Sequence, residues 1–247
     1  SNVLHLRGHA IVAGVDGLRI LNNEIAGLPQ KGSSGGVVLE TGLNKSGIGH
    51  CWSTGNRIST MQGAGIAVRT ALGSALIKQN IIERTLQGIV FEAAGSAVHL
   101  SIENNQLLHI AADFNPQGGS VVAIQILRAR RVDFVGNIVT GFAANAVQAL
   151  DRVAIRVVGG GAIRISGNHL SDLGPIQAHL GYVAGIELVV PFTLTNIADN
   201  SITRTPVGDV IGSAWIAIRV VQPTAAAAAR VKHGYAGAAL LVAEKGA

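Results

Sequence analysis

This sequence has about half the charge of an ordinary domain. Charged residues make up 13% of it, against about 25% in typical soluble domains. Aromatics are 4%, and there are six prolines and one methionine. A single cysteine, Cys51, excludes an internal disulfide. No apolar run reaches the roughly 18 residues of a spanning helix, so no membrane span is expected. No His, Cys or Asp spacing suits a transition metal, so neither a metal nor another cofactor is expected. Acidic residues number 14 against 19 Lys and Arg, leaving a formal charge of +5. The basic residues are scattered, and their densest cluster is Arg128, Arg130 and Arg131. With no interleaved aromatics and no nucleic-acid motif, the charge reads as solvation with a mild bias toward anionic partners, and no nucleic acid is expected.

What is abundant is aliphatic, and it repeats. The phrase around Ile77, Asn80 and Ile82 returns as ILNNEI, STGNRI, SIENNQL, FVGNIV, RISGNHL and NIADNSI. Aligned on Asn23, Asn56, Asn80, Asn105, Asn137, Asn168 and Asn200, the copies are spaced by 33, 24, 25, 32, 31 and 32 residues. Two places after every Asn stands an aliphatic residue, from Ile25 to Ile202. Three places before it stands a large apolar residue in every copy except Ser53. A period of 20–50 residues with one short unit per copy marks a solenoid, and the period-two alternation within each copy means strands.

A second strand follows each Asn after a variable gap. It begins at Val37, Ile66, Ile89, Ile124, Ile155, Ile186 and Ile216, with Leu4-His5-Leu6-Arg7 as an earlier copy. One turn of each coil is therefore fixed and another elastic. Alternation sends the second and fourth residues of these strands outward. The second-position column reads His5, Val38, Ala67, Val90, Gln125, Arg156, Glu187, Ala217. The fourth reads Arg7, Glu40, Arg69, Glu92, Leu127, Val158, Val189, Arg219. Arg7, Glu40, Arg69 and Glu92 alternate in sign, as a structural charge ladder would.

Three short strands per coil, a tight Asn turn and an elastic loop resemble the right-handed parallel β-helix, the pectate-lyase-like superfold, over roughly residues 3–221. The resemblance implies an all-β, right-handed parallel β-helix solenoid of about seven to eight coils. In that superfold the turn asparagines stack into an internal amide ladder; simple turn preference is the alternative reading of these Asn. Residues 1–221 are assigned to the β-helix and 222–247 to a short C-terminal cap or final coil, a single domain overall. The Ala run after Val221 has high helix propensity, suiting a cap, and AALLVAE offers a last strand from about Ala239. The chain opens almost inside a strand, so further chain upstream is expected.

From Ile110 onward the elastic loops lengthen, and four in succession should build a wall beside the second-strand sheet. The β-helix enzymes of this resemblance place their groove along that sheet. Within it Arg156 and Glu187 are the candidate catalytic residues, with Asp113 and His179 supplied by loops. Gln125, Tyr182, Asp151 and Asp209 are candidate substrate contacts. Glycosidic hydrolysis needs two carboxyl groups about 5–9.5 Å apart, and Glu187 is the one acidic residue in the sheet columns of the looped half. Lyase chemistry needs a base and a group that neutralises a carboxylate. Arg156 is the nominee for it, with His179 or Tyr182 moving the proton. Pectate lyases cluster acidic residues around calcium, and no such cluster occurs. His50 and Trp52 suit either a sugar platform or packing on the coil surface.

Two functions follow. One is a carbohydrate-directed β-helix that binds, and in its stronger form cleaves, an extended acidic polysaccharide. The other is a non-catalytic structural or adhesion module, for example in a phage tail. In it the aliphatic stripe Leu127, Val158 and Val189 would meet copies of the chain, as a trimer in the manner of such modules. An extracellular or cell-surface setting is favoured.

Overall fold

The computed structural model describes residues 3–6, 9–13, 16–27, 35–40, 47–92, 97–205, 214–222, 231–234 and 241–245. Among these there is no helix, and every strand pairing is parallel. An eight-stranded sheet takes one strand per coil: Val3–Leu6, then the seven that come directly after the ladder asparagines, Glu24–Gly27, Arg57–Ser59, Ile81–Glu83, Gln106–Leu108, Ile138–Thr140, His169–Leu173 and Ser201–Arg204. The other two faces of the coil belong to a single 15-stranded sheet. They join because Ser120–Val135 and Asp151–Ser166 run unbroken from the second face into the third.

The inward residues follow from alternation. Val37, Ile66, Ile89, Ile124, Ile155 and Ile186 stand in register and are fully buried. So do Ile25, Ile58, Ile82, Leu107, Val139 and Leu170 on the face after the Asn turn. Each such side chain contributes about 1.5–3 kcal/mol on burial. Cys51 is buried in the same core, and burial pushes its thiol up to about 12. That is an inert thiol.

The seven asparagines form one unbroken ladder. Each Nδ2 donates to the Oδ1 of the next coil's Asn, at 3.0, 2.9, 3.0, 2.9, 3.0 and 2.8 Å from Asn23 to Asn200. That Oδ1 also accepts the backbone N–H of the preceding Asn. From Asn56 onward, Nδ2 also donates to a backbone carbonyl one coil back, such as Ile77 for Asn105. Each buried polar group left bare would cost about 1–3 kcal/mol. The left-handed conformation of the turn falls on the residue before each Asn: Asn22, Gly55, Gln79, Asn104, Gly136, Gly167 and Asp199. The ladder asparagines are therefore selected for their amides and not for a tolerance of positive φ.

Two registers differ from the sequence reading. Val3–Leu6 pairs with Glu24–Gly27, so this strand lies on the face that follows the Asn turn, Leu4 matches Ile25, and His5 leaves the outward column. The second strand of that coil is His9–Ala13, which places Val12 beside Val38. In Ala214–Gln222, Ile218 and not Ile216 stands opposite Ile186. The shift by two replaces Ala217 with Arg219 in the second-position column and brings Val221 into the fourth, next to Val189. The Ala run and Arg7 lie outside the described residues. Val231–Gly234 and Leu241–Lys245 pair with Leu194–Ala198 and Ala214–Gln222.

Candidate functional site

The outward column of the second face changes character along its length. Val38, Ala67 and Val90 are buried in an apolar cluster of their own. The next four positions are Gln125, Arg156, Glu187 and Arg219, each on the neighbouring coil. Parallel pairing sets such neighbours about 4.8 Å apart.

Arg156 is the hub. Its Nε donates to Glu187 Oε1 at 2.6 Å, Nη1 to Ser120 Oγ at 2.8 Å and Nη2 to Asp151 Oδ2 at 2.5 Å. The second oxygen of Glu187 accepts from the Tyr182 hydroxyl at 2.7 Å and from Arg219 Nη1 at 3.1 Å. Arg219 also lies over the Tyr182 ring, 4.3 Å from its centroid, a cation–π contact. Glu187 is 3% exposed, and its carboxylate lies between the two guanidinium groups. Burial alone pushes the Arg156 pKa down, but Glu187 and Asp151 more than offset this, and it lies above its ordinary value. Burial, and then Glu187, pushes the Tyr182 phenol up. Both groups keep their protons near neutrality. Two guanidinium groups face two carboxylates, so the cluster is electrically balanced.

Of the residues nominated from sequence, Arg156, Glu187, Asp151 and Tyr182 meet in this cluster. Gln125 stands beside Arg156 in register. Asp113 is an exposed loop residue that shares no bond with the cluster. His179 hydrogen-bonds Gln177 O at 3.2 Å and lines a separate small cavity with Leu173, Val183 and Trp215. Burial pushes its pKa down. Asp209 lies outside the described residues. Ser120 and Arg219 were missed. Arg219 was hidden by the two-residue register shift, and Ser120 precedes the strand start assigned from the repeat.

Among the described residues the wall of loops spans three coils, and the fourth expected loop lies mostly outside them. Gly118 N–H donates to Gln148 O, Leu150 N–H to Gly119 O, and Leu180 N–H to Val147 O, at 2.9–3.2 Å. Arg152, fully buried, ties it together by donating to the carbonyls of Ala146 and Leu180 at 2.5 and 2.7 Å. Burial pushes the Arg152 guanidinium down to about 10, and it remains charged near neutrality.

Elsewhere, Trp52 has Arg19 over its ring at 5.1 Å and His50 stacked at 6.1 Å. It therefore packs on the coil surface. Of the alternating charge ladder, Arg69 and Glu92 form an exposed pair at 3.1 Å.

Stacked parallel coils with an internal amide ladder define a β-solenoid. A family model described as a right handed beta helix region matches residues 1–170, and the chain belongs to that family. No curated protein and no solved structure matches the chain. The family match ends within the span of the cluster, which runs from Ser120 to Arg219. Membership accounts for the coils and leaves the cluster to be read from its own chemistry. No described helix is long and apolar enough to cross a membrane.

Proposed function

We propose that this β-helix is a carbohydrate-directed protein that holds an extended polysaccharide along the second face, beside the loop wall. The observation that carries the reading is the run Gln125, Arg156, Glu187 and Arg219, with Ser120, Asp151 and Tyr182 around it. It puts hydroxyl, amide, carboxylate and guanidinium groups on consecutive coils of a rigid sheet, beside a Tyr ring. Such a row suits the hydroxyl-rich repeats of a linear glycan. Loops on a rigid scaffold are a usual place for binding. In the stronger form the chain also cleaves its glycan, with Glu187 and Asp151 as the paired carboxyl groups.

A second reading is favoured by the saturation of the cluster. Both oxygens of Glu187 and all three nitrogens of Arg156 are already bonded within the protein. Beside them Leu127, Val158 and Val189, joined by Val221, are half-buried aliphatic residues in an outward column. This arrangement suits a non-catalytic structural module whose stripe meets other copies, a trimer being the assembly the resemblance suggests.

The test is a panel of neutral and uronate polysaccharides, read by binding, by reducing ends and by the ultraviolet absorbance of unsaturated uronate. Arg156→Ala and Glu187→Gln are run beside the wild type. Binding that weakens at least about tenfold in either variant, with the fold retained, supports the carbohydrate reading, since one charge-assisted contact is worth about that much. Absence of binding across the panel, together with a stable oligomer, overturns it in favour of the structural module.

A further inference from the structure

We infer that the corner between the second and third faces is a separate binding groove for the anionic groups of an acidic glycan, sulfate or carboxylate. An open groove there is lined by Arg128, Ala129, Arg130, Gly160 and Gly161. Its floor is backbone. A Cβ on Gly161 would stand 2.3 Å from the Arg130 carbonyl oxygen, and one on Gly160 would stand 2.8 Å from that of Ala129. Only glycine lets the two coils lie this close. The paired glycines therefore leave the floor without side chains, and a sugar ring can approach it.

The charge at this corner is unbalanced, unlike that of the Arg156 cluster. Arg128 and Arg130 are exposed, and neither makes an ion pair or side-chain hydrogen bond among the described residues. Arg131, next in the chain, is held by Asp133 at 2.8 Å. His99 shares the same carboxylate oxygen. Exposed Arg164 stands beside Asp133 on the following coil. Asp133 is thus held by Arg131 and His99 and stands beside Arg164, and neither Arg128 nor Arg130 shares it among the described residues. The planar guanidinium fork matches sulfate and carboxylate groups in a bidentate manner.

The backbone at Arg128 is left-handed, which decides how it can be substituted. Its φ is +56°, a left-handed conformation, while the residue opposite it one coil on is Gly159 at +66°. Glycine adopts that conformation without strain, and arginine does not. Ten other non-glycine residues among the described ones share that conformation, so the groove rests on its unpaired arginines and not on backbone strain. No aromatic ring lines the groove, which leaves nothing for nucleic-acid bases to stack on. Together, unpaired forks, a bare floor and absent aromatics fit an acidic polysaccharide.

The groove stands apart from the second-face reading and fails or holds by itself. The experiment measures binding of the full chain to size-defined sulfated oligosaccharides and oligogalacturonates, with single-stranded DNA as a non-glycan polyanion. The key variant is Arg128→Gly with Arg130→Gln, since glycine suits the backbone at 128. Arg69→Gln is the control for loss of one exposed positive charge. The expected result is glycan binding that weakens at least about tenfold in the double variant, since one charge-assisted contact is worth about that much. Thermal unfolding should not fall, since glycine suits the backbone at 128, and binding in the control should stay within about twofold. Three results overturn the inference: no glycan binding by the wild type, equal binding by the double variant, or tighter binding of DNA with the same arginine dependence. Weakening by Glu187→Gln and not by the double variant would place binding on the second face alone.

Discussion

Two closed hydrogen-bond networks run across the coils, and they teach opposite lessons. The asparagine ladder is neutral, internal and the same at every coil. The Arg156 cluster is charged, lies at the outer surface and occurs once. In the ladder each amide is satisfied by copies of itself, so a single residue type at a single position suffices. In the cluster Ser120, Asp151 and Tyr182 share one register position and Arg156, Glu187 and Arg219 another, on four coils and with five residue types, and each depends on the others. Repetition makes the first network a property of the fold. Singularity makes the second a candidate for function.

The largest effect should come from breaking the ladder at its middle. Asn105→Ala removes the acceptor of both the Asn80 backbone N–H and its Nδ2, and both donors are fully buried. We expect a loss of about 3 kcal/mol or more, because each bare buried donor costs about 1–3 kcal/mol. Urea unfolding measures it, and a loss under about 1 kcal/mol would mean that the amides are not the support of this turn.

Next is Glu187→Gln. It keeps the shape but leaves Arg156 and Arg219 without their shared charge. The guanidinium groups keep some contact with solvent, so the expected loss is about 2 kcal/mol. A loss matching that of the ladder variant would make the cluster as much a part of the scaffold as the asparagines. A neutral or stabilised variant would instead mark Glu187 as held at a cost to stability, as functional groups often are.

Asp133 sharpens the comparison at smaller scale. Burial alone pushes its pKa up, but Arg131 and His99 prevail and hold it below the ordinary 3.8. A depressed carboxylate stabilises the fold above its unfolded pKa and loses that stabilisation as pH falls through the folded value. Asp133→Asn should therefore cost about 1 kcal/mol at pH 7 and flatten the fall in stability below about pH 4. Urea midpoints across pH 2–7 read both, and an unchanged acid limb would remove Asp133 from the groups that matter.

The fold was legible because one side chain, Asn, and one aliphatic residue two places later repeat at solenoid spacing. The parity of each strand was legible too, and so Arg156, Glu187 and their neighbours were placed on the outward face. The lateral register of the end strands was not. Ile216, Ile218 and Val220 share one parity in sequence, so alternation alone does not separate two registers two residues apart; in the structure Ile218 and Val220 enter the core and Ile216 packs with Ala184 and Tyr182 outside it. Pairing with the neighbouring coil decides between the registers. That ambiguity hid Arg219; Val3–Leu6 was instead assigned to another face, and its pairing with Glu24–Gly27 decides the face. Arg152 was also illegible. Nothing in its local pattern marks an arginine that will be fully buried, because its carbonyl partners lie on loops whose path the strands do not dictate.

The ladder has one further consequence, for the length of the molecule. Each Asn from Asn23 to Asn168 hands its Nδ2 to the next coil, and each from Asn56 to Asn200 offers its Oδ1 to the one before, so all the links point the same way and all are interchangeable. Nothing in such a chain of amides counts how many coils it contains. A whole coil, such as the 25 residues from one Asn to the next between Asn80 and Asn105, can be removed or duplicated and the flanking amides still meet head to tail. Coil number is then free to vary by whole units, and what must stay constant is confined to features that break the repeat.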